Sequence, residues 1–292
     1  MPEPPGPRTS LSIEPLRGAF GCALAVDVEE WYHNCHVPEY VDPRRRPRLP
    51  EELDHLLPEL LDLLSGARRT ATFFVLGEVA ERLPERVREI AAQGHEVASH
   101  GFLHRRAASR PLGELRADVA RSKALLEDVL GAPVRGFRSP EWSLRHPRHA
   151  LLPELVGLGF HYDSSLAPVA GAGRRSNPLQ LARLRWDSGG ELLEVPPLTF
   201  GGRLQLPAGG WVGRLAPPGW LIAAARRHQA AGGLPLVTVH PWELAERPTP
   251  GDFTGFARFL HETGRADFRP RFEELLRALP WTSIRGALGA TL

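Results

Sequence analysis

The sequence predicts an α/β fold, a single (β/α) barrel of seven or eight strands. Short apolar runs alternate with amphipathic stretches along its 292 residues, and no fixed-period repeat replaces that alternation. Strands separated by helical patterns imply parallel pairing, and seven or eight of them favour a closed barrel over an open sheet. The polar residues of note also collect at the C-terminal ends of the strand patterns, where parallel βα folds assemble their sites.

In order, the proline-rich start MPEPPGPRTS lacks the charged and apolar regions of a secretory leader. We expect a disordered tail over 1–17, one domain over 18–292 with a C-terminal extension, and a cytoplasmic location. FGCALAVDV (20–28) reads as a buried strand, and PEELDHLLPELLDLLSG (50–66) as a helix stopped by glycine. TATFFVLG (70–77) is β-branched and aromatic, hence a strand. EVAERLPERVREIAAQG (78–94) is helical with a break or fresh start at Pro84. HEVASHG (95–101) is a strand and RPLGELRADVARSKALLEDVLG (110–131) a long helix. Strands VRGFRS, FHYDS, ELLEVP and LPLVTVH then alternate with helices RHALLPELVGLG and PPGWLIAAARRHQAAGG, before FEELLRAL and WTSIRGAL close the pattern. Residues 168–218, richer in Gly, Pro and Arg, read as an insertion or irregular region.

The bulk numbers exclude several classes. With 36 Lys+Arg against 34 Asp+Glu the net charge is +2, which gives no nucleic-acid surface. The densest basic run, Arg44-Arg45-Arg46-Pro47-Arg48, reads as a solvated loop. Two cysteines, Cys22 and Cys35, build no disulfide framework. No apolar run approaches the ~18 residues of a membrane span.

The chemistry sits in five segments. SHGFLH offers His100 and His104, which on a helical turn would face one metal ion; HxxxH alone is a weak signal. Such a pair needs a carboxylate as third zinc ligand, with a position left for water. In VDVEEWYHNCH, Asp27 and Glu29 lie i, i+2 on one strand and share a face, so one can hold the metal and the other accept a proton. Glu30 points the other way and reads as a rim or surface residue. His33, Cys35 and His36 could be drawn as a metal site, but adjacent loop residues cannot converge on one ion without strain; His33 remains available for substrate contact. Arg138 in GFRSPEWS, followed by Pro140, could clamp a carboxylate or form a surface salt bridge. His240 at the mouth of a strand is placed as a general acid, and Asp163 in YDSS could hydrogen-bond it. Trp31, Tyr32, Trp142, Trp211 and Trp242 follow the same strand ends; stacking on sugars and packing fit each of them equally.

VDVEEWYH, TFFVLG, GHEVASHGFLHR, GFRSPEWS, YDSSL and HPWEL, in that order, resemble the polysaccharide deacetylases (carbohydrate esterase family four, NodB homology). LPAGGWVGRL and the closing RFEELLRALPWTSIRGAL are similar to the branch associated with exosortase and exopolysaccharide gene clusters. The resemblance implies a distorted (β/α)7–8 barrel with one divalent metal, zinc. It implies a hydrolase that removes N-acetyl groups from amino sugars of a polysaccharide or oligosaccharide. By position, Asp27 resembles the base and Glu29, His100 and His104 the metal ligands. Arg138 resembles the arginine that orients the base, His240 the acid, and Asp163 its support. Trp31, Tyr32, Pro140, Trp142 and Trp242 are then expected to contact substrate. The spacing Asp27-Val28-Glu29 replaces the adjacent aspartates of most relatives, and HPWELA also departs from the usual tail of the last motif. A carbohydrate-binding homologue without activity, or a barrel amidohydrolase acting on a non-sugar C–N bond, are the competing readings.

Overall fold

Seven strands run parallel around a core of small and aromatic side chains in the computed structural model. The structure describes residues 10–33, 49, 51–107, 110–246, 253 and 255–289. In chain order the strands are β1 (Leu11–Pro15), β2 (Cys22–Val28), β3 (Thr72–Val75), β4 (Glu96–Ser99), β5 (Gly136–Phe137) and β6 (Tyr162–Asp163). They continue with β7 (Ala182–Trp186), β8 (Glu191–Glu194), β9 (Thr199–Phe200), β10 (Leu206–Pro207), β11 (Leu236–Val239) and β12 (Trp281–Thr282). The parallel path is β8-β6-β5-β4-β3-β2-β11, the short β12 pairs parallel with the start of β2 off that path, and β1 and β7 extend the sheet antiparallel beyond β8.

The barrel is distorted where β8 should meet β11. Pro196 and Pro197 follow β8 and carry no N–H, so no regular ladder can form there. Single hydrogen bonds bridge the gap instead: Leu198 N donates to Leu236 O at 2.8 Å, and Thr238 N to Ala208 O at 3.1 Å.

Alternation along β2 sorts the core into two parts. Cys22, Leu24, Val26 and Val28 pack outward with the helix leucines, while Ala23 and Ala25 face inward with Phe74, Ala98 and Tyr162. Asp27 continues the inward row to the mouth of the barrel. At the opposite end, the short helix Ile284–Leu288 packs Ile284, Ala287 and Leu288 against Phe20, Ala23 and Ala25, and closes the floor.

Most expected elements form. Leu53–Gly66 and Leu112–Leu130 are helices, the second ended by Gly131 in the left-handed region at φ 61°. Pro84 separates Gly77–Arg82 from Pro84–Ala92 by starting the second helix. Two expectations are corrected. The tail expected over 1–17 is ordered from Leu11, because β1 pairs residue for residue with β7; residues 1–9 lie outside the described residues. The region 168–218 is not merely irregular: it holds β7, the barrel strand β8 and the β9–β10 ribbon. No helix among the described residues is long and apolar enough to cross a membrane.

Candidate active site

Four strand ends and the turns after them converge at the mouth. β2 delivers Asp27 and, one residue past its end, Glu29; both are 6 % exposed. Glu29 is the hub: its Oε2 lies 2.7 Å from Nε2 of His104 and its Oε1 lies 3.1 Å from Nε2 of His240. Burial alone would raise the Glu29 carboxyl, but the two histidines outweigh it and hold the group well below the usual carboxylate range.

His100 and His104 follow β4 on bends rather than on the expected helical turn. Gly101 makes the first bend at φ 78°, a conformation that side chains disfavour. Both rings still reach Glu29: the ligand-type atoms of Glu29, His100 and His104 all lie within 4.8 Å of one another. His100 Nδ1 donates to the Arg138 carbonyl at 2.9 Å, which leaves Nε2 as the bare, unprotonated nitrogen. That Nε2 is buried and has no hydrogen-bond partner among the described residues, and burial holds the ring's pKa down at about 4. Two imidazoles and a carboxylate, with one buried lone pair left over, fit a divalent metal.

Arg138, after β5, is 1 % exposed and lies 4.2 Å above the Phe74 ring. Its Nη1 donates to Asp27 Oδ1 at 2.7 Å and to Thr238 Oγ1 at 3.2 Å, while Nη2 donates to Ser164 Oγ at 2.9 Å. The clamp considered from sequence is therefore present, and the surface salt bridge is not.

His240 follows β11. Burial disfavours its cation, but Glu243 and Glu29 together raise its pKa to about 10. The expected partner Asp163 does not hold it. Asp163 Oδ1 accepts from Ser165 Oγ at 2.5 Å and Oδ2 from Ser165 N at 3.2 Å, and its carboxyl also bonds Glu194. Burial raises both acids of that pair, Glu194 well above its ordinary value, so the pair keeps a shared proton. The carboxylate at His240 is Glu243, three residues on: Oε2 lies 3.3 Å from Nδ1 and accepts the His240 N–H at 2.8 Å. Glu243 in turn pairs with buried Arg214. Burial would raise its carboxyl, but Arg214 and His240 lower it to about 2. Composition gave no signal for this pair; the i, i+3 spacing in HPWEL did, once residues 241–244 form a 3₁₀ turn.

Other expectations need correction. Glu30 is no rim residue: it is 1 % exposed and accepts the N–H groups of Glu52 (2.9 Å) and Leu53 (3.2 Å), capping the helix that starts there. Burial raises its carboxyl to about 7. Trp31 and Tyr32 are each 1 % exposed and pack on one another and on Phe253, so neither opens a face to a sugar. Pro140 is buried and starts a 3₁₀ turn. Trp142 and Trp242 are half-buried; Trp242 is stacked between His240 and His261, at ring distances of 5.1 Å and 4.1 Å. His33 accepts the Glu30 N–H at Nδ1 (3.0 Å) and faces Glu78 with Nε2 (3.2 Å), stacked 5.7 Å from His104. Cys35, His36 and the basic run 44–48 lie outside the described residues.

Comparison with known proteins follows the same division of the chain. A polysaccharide deacetylase model matches residues 50–151, and a domain of unknown function, DUF3473, matches 164–289. Asp27, Glu29 and Asp163 fall outside both matches. Peptidoglycan deacetylase of Helicobacter pylori is 30 % identical over 110 residues, 38 % of this chain and 36 % of that protein. Chitooligosaccharide deacetylase of Sinorhizobium fredii is 31 % identical over 129 residues, 44 % of this chain and 49 % of that one. The alignments thus span about a third to a half of these relatives. A candidate polysaccharide deacetylase structure from Mycobacterium smegmatis superposes with TM-score 0.60 at 23 % identity, covering 92 % of this chain and 89 % of that one. That likeness carries the distorted (β/α) barrel. The segment 50–151 thus matches the polysaccharide deacetylase family, and the barrel fold agrees with that match.

Proposed function

We propose that the protein is a metal-dependent hydrolase that removes N-acetyl groups from amino sugars of a polysaccharide or oligosaccharide, releasing acetate. The observation that carries this reading is the buried Nε2 of His100, without a hydrogen-bond partner among the described residues, on a residue whose ligand-type atom lies within 4.8 Å of those of Glu29 and His104. Glu29, His100 and His104 would hold the metal, and the donor set suits zinc. When bound, a divalent cation supplies Lewis acidity toward an amide carbonyl and makes water a better nucleophile.

The chain's own residues do the rest. Asp27 accepts the proton of the attacking water; Arg138 holds its carboxylate aimed inward. His240 carries a proton on the opposite side of Glu29 and donates it to the amide nitrogen as the C–N bond breaks. Trp142 and the ring edge of Trp242, half-buried at the mouth, contact the sugar, with Pro140 fixing the turn that carries Trp142.

Acetate release from N-acetylated glucosamine oligomers by metal-loaded protein tests the reaction, and metal content tests the site. Wild type should bind about one ion, Glu29→Ala should lose it, and Asp27→Asn should keep it while losing activity. A wild type that takes up no metal after loading would overturn the reading.

A further inference from the structure

The 164–289 segment has no assigned role, yet it contributes β8, β11 and His240 to the barrel. We propose that Glu243, anchored by Arg214, is the positioning residue that fixes the His240 imidazole against Glu29, and that supplying this arrangement is a task of that segment. The proposal rests on the deacetylase reading for its kinetic arm alone.

Four observations carry it. First, the Glu243 carboxylate is divided between two partners: Oε1 takes Arg214 Nη1, while Oε2 accepts the His240 N–H and faces Nδ1 of the same ring. A pair built only to tie elements together would offer both oxygens to the guanidinium. Second, Arg214 is 1 % exposed and immobilised from behind: its Nε donates to Thr263 O at 2.9 Å, and its Nη2 donates to the carbonyls of Leu260 and His261. Third, Trp242 stacks on the face of His240 at 25° and is itself backed by His261, whose Nε2 lies 3.2 Å from the Trp31 carbonyl. The ring is thus held at Nδ1 and on one face, with Nε2 turned to Glu29. Fourth, Asp163, whose place in the chain would suit this task, is engaged by Ser165 and Glu194.

The test separates positioning from plain structural support. Glu243→Gln and the double variant Glu243→Leu with Arg214→Met are compared with wild type for kcat, KM, Tm and bound metal, and the double variant is crystallised. The double variant leaves no unpaired buried charge, so it should regain most of the Tm lost by the single one. The expected result is a kcat about 10- to 100-fold lower in both, KM within about twofold, metal content unchanged, and no recovery of kcat with Tm. In the crystal the His240 ring should leave its place 3.1 Å from Glu29 Oε1. A kcat that recovers with Tm, or a ring that stays in place, overturns the proposal. If wild type releases no acetate, the deacetylase reading falls while the ring's position still decides this one.

Discussion

The two ends of the barrel use similar side chains to opposite purposes. At the floor, buried Glu96 accepts from the Thr72 hydroxyl at 2.6 Å and from the Arg285 N–H at 3.0 Å, and Thr72 Oγ1 in turn accepts the Ile284 N–H at 2.7 Å. His95 beside it accepts the Ala71 N–H at 3.2 Å. Each of these partners is an uncharged donor, most of them backbone, and the contacts dock the closing helix. At the mouth, Asp27 faces a guanidinium, Glu29 faces two imidazoles, and one imidazole nitrogen has no partner among the described residues. Burial does not distinguish the two ends, since both carboxylate sets are 6 % exposed. What distinguishes them is cationic partners and an unspent lone pair at one end, and neutral donors to the carboxylate at the other.

Substitutions at the two ends should therefore separate activity from stability. The largest effect belongs to Asp27→Asn, which should lower kcat by ~10²–10⁴, far more than the loss of folded protein that follows from breaking the buried Arg138 pair, read from acetate release and thermal melts. His95 comes next. Its folded pKa, lowered by burial to about 4, lies below the ~6.5 of an unfolded histidine, so the unfolded chain binds the extra proton. Stability present above pH ~6.5 is then lost as pH falls toward 4, by up to about 3 kcal/mol, and His95→Gln should flatten that slope in denaturant melts between pH 4 and 7. Glu96→Ala should strand the Thr72 and Arg285 donors and cost ~1–3 kcal/mol, lowering Tm by several degrees with kcat near wild type. A loss of activity larger than the loss of folded protein would erase the contrast between the ends. The smallest effect is assigned to Asp163→Asn: kcat should fall by less than about tenfold, because Glu243 rather than Asp163 faces His240. A fall matching that of His240→Gln would return Asp163 to the role its place in the chain suggested.

Much of the mouth was legible because β2 is regular: alternation alone puts Asp27 and Glu29 on one face, and the apolar runs locate His100, Arg138 and His240 at strand ends. The supports were not legible, since each depends on where a turn aims a side chain. Glu30 follows the strict strand alternation away from Glu29, yet ends buried because a helix 23 residues later starts beneath it. Trp31 and Tyr32 looked like sugar platforms because exposure cannot be read from residue type. β1 was missed because its burial is one-sided and weak, and only its partner β7 makes it a strand.

The place of β2 has a consequence for how the chain is made. It pairs with β3 on one side, some 50 residues later, and with β11 on the other, where Leu236–Val239 meet Ala23–Val26. During synthesis the strand carrying Asp27 and Glu29 therefore has one unprotected edge while roughly 200 further residues emerge. At ~5–20 residues per second that wait is on the order of 10–40 s. An apolar strand with an open edge for that long is a sticky nascent chain, and contacts this distant in sequence also slow the closing step itself. Co-translational chaperoning, more than any feature of the finished barrel, should set how much of this protein a cell can accumulate.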